Sequence, residues 1–130
     1  RPDMAYFIFT KKILANETIS LFNNGKMKRD FTFIDDIIVG TKSAIEKNYN
    51  CEIFNLGNNK NEKLMDLILL LENELLKKAK IEFLPMQSGD VKETFADIRK
   101  SSKKLKFKPK TSIYDGIPKF IRWYKDYFNN

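Results

Sequence analysis

At 130 residues and 15.3 kDa the chain has the length of one domain. With 42% hydrophobic and 13% aromatic residues it carries the material for a core, which excludes a disordered tail. The 24 basic and 17 acidic side chains leave a formal charge of +7. Residues 1–96 hold 14 of each sign and residues 97–130 hold 10 and 3, so the excess lies wholly in the C-terminal stretch.

In chain order, Asp3 caps a periodic run from Met4 to about Ala15, which reads as a helix stopped by Asn16. Ile19–Phe22 follows as a short strand. Asn23-Asn24-Gly25 has the chemistry of a tight turn, and a second strand, Arg29–Ile34, is expected to complete a hairpin. Asp35 or Asp36 caps a helix to about Lys47, and Glu52–Leu56 is expected as a strand ending at Gly57. The run Asn61–Leu76 is apolar around most of its circumference and predicts a helix buried on several sides. Lys80–Leu84 is a strand stopped by Pro85. Asp97 caps a short basic helix to about Leu105. Thr111 or Ser112 opens the last helix, where Ser112 and Asp115 form a capping box and Pro118 predicts a kink or a late start. The class is α/β, in one unit over residues 1–130.

The chain has no histidine, which removes Ser/His/Asp and Cys/His triads and histidine-bound zinc. The lone Cys51 cannot form an intrachain disulfide. Its strand-like surroundings predict a buried structural thiol in a reducing, cytoplasmic setting. The longest apolar run, Leu67–Leu71, falls far short of the roughly 20 residues that span a bilayer. No signal peptide is visible. The chain opens on Arg1, and is expected to be incomplete or processed at that end. Gly25, Gly40, Gly57, Gly89 and Gly116 stand too far apart for a G-x-G-x-x-G turn or a P-loop, so no dinucleotide cradle is expected.

Several segments resemble one family in order along the chain. Arg1-Pro2-Asp3-Met4-Ala5 is similar to the run after the Tyr-Gly-Pro strand end of NAD-dependent nucleotide-sugar epimerases. Lys28 to Ile37 (KRDFTFIDDI) resembles their Arg-Asp-Phe segment. Leu84 to Val91 (LPMQSGDV), followed by Phe95-Ala96-Asp97, resembles their ribose and diphosphate loop. Phe54-Asn55-Leu56-Gly57-Asn58 and Phe120 to Tyr124 fit as well. The family is the extended short-chain dehydrogenase/reductases, and the nearest branch is the UDP-glucuronate 4-epimerases.

The resemblance implies a C-terminal, substrate-binding portion of a Rossmann-like enzyme whose Gly-rich cofactor half is absent here. Residues of about 35–58 are expected to pack on that missing sheet. The family's Tyr-x-x-x-Lys pair is missing too, since Thr10, Ile53, Pro118 and Phe128 stand four places after the tyrosines Tyr6, Tyr49, Tyr114 and Tyr124. The implied activity of the full-length parent is NAD-dependent C4 epimerisation of a UDP-hexuronic acid for surface polysaccharide precursors. This chain would hold UDP, bind no NAD itself and be inactive alone. A dTDP-glucose 4,6-dehydratase or a UDP-glucuronate decarboxylase of the same family stays open, as does a basic anion- or RNA-binding module.

Site roles carried over with the resemblance are six. Arg29 would reach the substrate diphosphate and Asp90 the ribose hydroxyls. Gln87 stands where some relatives carry a phosphate-binding arginine, and can donate a hydrogen bond without charge. Backbone near Met4 would approach the nucleotide, and the strand holding Ser20 and Phe22 would read the uracil edge. Arg1 would lie near the sugar carboxylate. The alternative for Arg29 is an exposed strand charge paired with Asp30. Asp35 and Asp36 project apart and read as a helix cap rather than a metal or acid/base pair. The Arg99–Lys110 stretch offers only Phe107 for stacking and reads as a solvated face. Expected partners are a UDP-sugar, the missing half and further copies of the chain, with no nucleic acid or membrane.

Overall fold

The computed structural model describes residues 2–128. Its elements are α1 (Ala5–Leu14), β1 (Thr18–Leu21), β2 (Lys28–Arg29), α2 (Ile34–Lys47), β3 (Glu62–Lys63), α3 (Leu64–Leu75), β4 (Lys80–Phe83), α4 (Arg99–Leu105) and α5 (Ile113–Phe128). A single 3-10 turn, Asn23–Gly25, joins β1 to β2.

The expected hairpin is not formed. β1 pairs in parallel with β4, Ile19 opposite Ile81 and Leu21 opposite Phe83, while β2 pairs antiparallel with β3, Arg29 opposite Glu62. The turn chemistry is as read, for Asn23, Asn24 and Gly25 all take positive φ. The turn is nevertheless tied to β4, because the Asn24 N–H donates to Leu84 O at 2.9 Å and the Leu84 N–H to Leu21 O at 2.9 Å. With that edge of β1 occupied by β4, the chain leaves the turn for a second sheet. Of the expected strand Arg29–Ile34 only Arg29 is ladder-bonded, as the second residue of β2, and α2 already begins at Ile34.

The main core lies where α3 packs against α1 and α5 over β1. Ile19, Leu67 and Leu71 are wholly buried there, beside Ile13 of α1 and Ile121 of α5. Burial at Leu67, Ile68, Leu71 and Leu75 follows one helical face. Leu69 and Met65 stay exposed, so α3 is covered less completely than its composition predicts. Its last turn closes on Leu76 in the left-handed region, fully turned to solvent. A second, smaller cluster gathers Ile98, Leu105 and Phe107 against Ala44, Phe54 and Leu56.

The expected strand at residues 52–56 is not formed: Phe54 and Leu56 turn inward and Ile53 is 82% exposed, but the segment has no ladder partner among the described residues. A period-2 pattern records one buried face and does not supply the neighbouring strand. Cys51 departs from expectation for the same reason. It sits in a turn at φ 46°, exposed. The last helix starts at Ile113 with Pro118 inside it, so no late start occurs. Ser112 caps it as read, accepting from the Asp115 N–H at 3.3 Å and donating its hydroxyl to Asp115 Oδ2 at 2.6 Å.

Candidate nucleotide-sugar site

β2 carries Arg29 to the rim of a cavity of about 600 Å³. Its walls come from the N-termini of α1 and α5 and from residues 29–34, with Met4, Phe31, Phe33, Ile113 and Phe120 making them largely apolar. Arg29 is three-quarters buried along its side chain. Its Nη2 donates to Asp90 Oδ1 at 3.0 Å and its Nη1 to Lys28 O at 2.8 Å. The alternative pairing with Asp30 is therefore not what the structure shows. Among the described residues Arg29 Nε donates to no acceptor and Asp90 Oδ2 accepts from no donor. One guanidinium edge and one carboxylate oxygen thus remain for a ligand.

Asp90 arrives on a loop fixed at both ends. A turn at Gly89 (φ 82°) brings the Asp90 N–H to Gln87 O at 3.2 Å, which sets Gln87, itself exposed, in the same turn. Further on the loop runs beside β2. The Lys28 N–H donates to Lys92 O at 3.0 Å, the Thr94 N–H to Lys28 O at 3.3 Å, and the Lys28 ammonium meets Glu93 at 3.4 Å. At its start the same loop leaves β4, beside the β1 strand that holds Ser20, with Phe22 just past its end. Met4 takes the capping position of α1 in extended conformation and faces the cavity that Arg29 rims. Arg29, Asp90, Gln87 and Met4 therefore belong to one region. The role given to Arg1 lies outside the described residues.

Two carboxylates of the 29–37 segment take partners remote in sequence. Asp30 accepts three backbone N–H groups, from Asn58 at 2.9 Å, Asn59 at 3.0 Å and Ala96 at 2.9 Å. Asp36, expected as part of a helix cap, is buried and accepts from Lys110 N at 3.1 Å and Thr111 N at 2.9 Å. Each ties a distant loop to the 29–37 segment that borders the cavity. A carboxylate set among aromatic or branched residues was the available signal, since burial obliges it to find donors.

The basic stretch is solvated as read, with Arg99, Lys100, Lys103, Lys106, Lys108 and Lys110 exposed, and two of its lysines are tied to one carboxylate. Glu52 lies 2.5 Å from Lys100 and also binds Lys104, and hydrogen bonds from those two ammonium groups hold its carboxyl below the usual range. Lys100 and Lys104 lie over the rings of Phe54 and Tyr49. The Arg99 guanidinium, together with the Arg99 N–H, lowers Asp97 to about 2. Asp97 accepts that N–H at 3.0 Å from one place before the capping position, which is Ile98 and not Asp97 as expected. Phe107, the aromatic considered for stacking, is buried.

A family model described as NAD dependent epimerase/dehydratase family matches residues 1–57. The chain is 42% identical to a UDP-glucuronate 4-epimerase of Thermodesulfobacterium geofontis, over 97% of this chain and 39% of the relative. It is 36% identical to Protein CapI of Staphylococcus aureus, over 98% of this chain and 44% of the relative. Its fold superposes with a TM-score of 0.86 on a mutant UDP-glucuronic acid 4-epimerase of Bacillus cereus, 36% identical, over 98% of this chain and 41% of that one. The chain belongs to the NAD-dependent epimerase/dehydratase family. It spans about two fifths of the length of these relatives. That Bacillus cereus epimerase was solved with NAD and a fluorinated UDP-glucuronic acid analogue.

No glycine-rich dinucleotide loop is formed among the described residues. Within them the two sheets have two strands each, and β1 ends in the Asn23–Gly25 turn rather than in a glycine-rich loop opening onto a helix. Among the described residues no cluster of three metal-ligating side chains occurs, and no helix is long and apolar enough to cross a membrane.

Proposed function

We propose that this chain is the nucleotide-sugar-holding part of an NAD-dependent UDP-glucuronate 4-epimerase serving surface polysaccharide synthesis, and is inactive by itself. The observation that carries this reading is the contact of Arg29 with Asp90 at 3.0 Å. These are the two side chains to which the family resemblance gives the diphosphate and the ribose. A diphosphate set against the Nε edge of Arg29 would take a charge-assisted, forked hydrogen bond. A ribose hydroxyl would donate to Asp90 Oδ2. Gln87 adds a neutral donor beside the phosphates, and the backbone at Ser20 and Phe22 addresses the base. Binding and orientation are the chain's share of the reaction. The hydroxyl proton would pass to a base in the other half of the parent, where NAD would supply the hydride chemistry.

Calorimetric titration of the chain with UDP tests the reading. Saturable binding is expected, weaker with UMP, which lacks the second phosphate, and no epimerase turnover on UDP-glucuronate. Equal affinity for the two nucleotides would remove the diphosphate role, and turnover by the chain alone would overturn its inactivity.

The same reading assigns the exposed face of α2. Ile34, Ile38 and Ile45 lie on one side of the helix and are 59%, 56% and 73% exposed, with Ile53 exposed on the neighbouring loop. In the parent this face would receive the cofactor half, and residues of about 35–58 would pack on its sheet. Alone, the chain is expected to cover it by self-association. Sedimentation should show oligomers that Ile38→Asp disperses. A wild-type chain that stays monomeric at high concentration would count against this assignment.

A further inference from the structure

We infer that Asp30 is the positioning residue of this site, setting the Arg29–Asp90 geometry by holding two loops against β2. The inference rests on the nucleotide-sugar reading for its ligand, but its structural half stands on separate observations. Asp30 follows Arg29 directly, yet its carboxylate turns away from that cation and receives three backbone N–H groups from two remote segments. Oδ1 takes Asn58, while Oδ2 takes both Asn59 and Ala96. One carboxylate thereby joins the turn after Gly57 to the far end of the loop that carries Asp90.

The packing at that junction leaves little slack. A Cβ placed on Gly57 would stand 2.4 Å from the Ala96 Cβ and 3.1 Å from Asp30 Oδ2, so the two segments touch backbone to side chain over the carboxylate. The loop is then fixed in two places. Asp30 holds Ala96, and the β2 backbone at Lys28 bonds to Lys92 and Thr94. Between those points and the Gly89 turn, little freedom remains for Asp90, which lands 3.0 Å from Arg29. Two properties of Asp30 are needed for this: charge, to attract three donors at once, and short reach, to keep both loops on β2. Asparagine has the length but offers one oxygen and turns an amide toward a donor. Glutamate has the charge but displaces the junction by one methylene.

The experiment compares the wild-type chain with Asp30→Asn, Asp30→Glu and Asp90→Ala, and with Asp30→Asn combined with Asp90→Ala. Amide exchange at Asn58, Asn59 and Ala96, the Arg29 Nε–H resonance, and UDP affinity are the readouts. In Asp30→Asn, exchange at those amides should quicken while Leu67 and Leu71 stay protected, the Nε–H signal should shift, and UDP affinity should fall about tenfold. Asp30→Glu should resemble it rather than the wild type. Because Asp30 acts through the loop, the double variant should bind UDP no more weakly than Asp90→Ala alone. Wild-type affinity in Asp30→Glu would show that charge alone suffices and overturn the positioning role. So would unchanged exchange at Ala96, or losses that multiply in the double variant. If Asp30→Asn fails to fold, Asp30→Glu carries the same comparison. Absence of UDP binding by the wild type would strike the nucleotide-sugar reading, leaving the exchange and Nε–H measurements to decide on Asp30.

Discussion

Arg29→Ala is expected to weaken UDP binding by one to two orders of magnitude while barely changing the stability of the fold. A hydrogen bond to a charged group contributes about 1.5–3 kcal/mol, which corresponds to losses of about 10- to 150-fold. The substitution also leaves Asp90 facing the diphosphate without its counter-ion, which adds repulsion. On the stability side, the Arg29–Asp90 pair is a quarter and a third exposed at its two ends. Pairs so placed contribute no more than about 1 kcal/mol, and solvent screening lowers that figure. Ligand entry need not break the pair, since it occupies Nη2 of Arg29 and Oδ1 of Asp90 and leaves the Nε edge and Oδ2 for the nucleotide. Arg29→Lys retains the charge and loses the fork, so its affinity should fall between those of the wild type and the alanine variant. Calorimetry at two salt concentrations, with thermal unfolding of each variant, checks both halves. A variant that binds UDP normally would leave the diphosphate to another cation. One that melts far below the wild type would make Arg29 a structural residue instead.

What the sequence made legible was local, and what it hid was relational. The helices α2, α3 and α5 follow from apolar spacing, and the Ser112–Asp115 cap from four residues of sequence. The Asn23-Asn24-Gly25 turn was equally plain in its positive φ angles. The strand that follows it was not, because β1 bonds to β4, almost sixty residues away, and nothing within Ile19–Leu21 specifies that neighbour. The candidate site divides in the same manner. Arg29 and Asp90 were named through family resemblance, but their mutual contact arises from a loop closed across 61 positions. Asp30 and Asp36 were seen only beside adjacent residues, as an ion partner and a cap. Their backbone donors come from positions 28 to 75 residues distant, so the burial that gives them their roles exists only after folding.

Phe107→Ala should have the largest effect on stability of any change considered, a loss of about 3–5 kcal/mol. In the sequence this ring is one aromatic among lysines, which suggested at most a stacking surface. In the fold Lys106 takes a left-handed conformation at the end of α4 and turns Phe107 back beneath the helix, where it is 2% exposed. Its own N–H bonds to Ser101 O at 3.3 Å and its carbonyl accepts from Ser102 Oγ at 3.0 Å. The ring packs with Ile98 and Leu105 and closes against α2, where a Cβ on Gly40 would stand 2.9 Å from it. Emptying that volume removes the centre of the smaller core while leaving the Leu67–Leu71 core intact, so the loss should be regional as well as large. Denaturant unfolding should show a lowered midpoint, and amide exchange should show α4 losing protection before α3. Lys103→Ala on the outer side of the same helix should change stability by no more than about 0.5 kcal/mol. Equal effects from the two substitutions would contradict the burial of Phe107. If the ring instead served a polyanion at the surface, its removal would spare stability and reduce salt-dependent binding of generic RNA. The two outcomes separate a core residue from a contact residue in one pair of measurements.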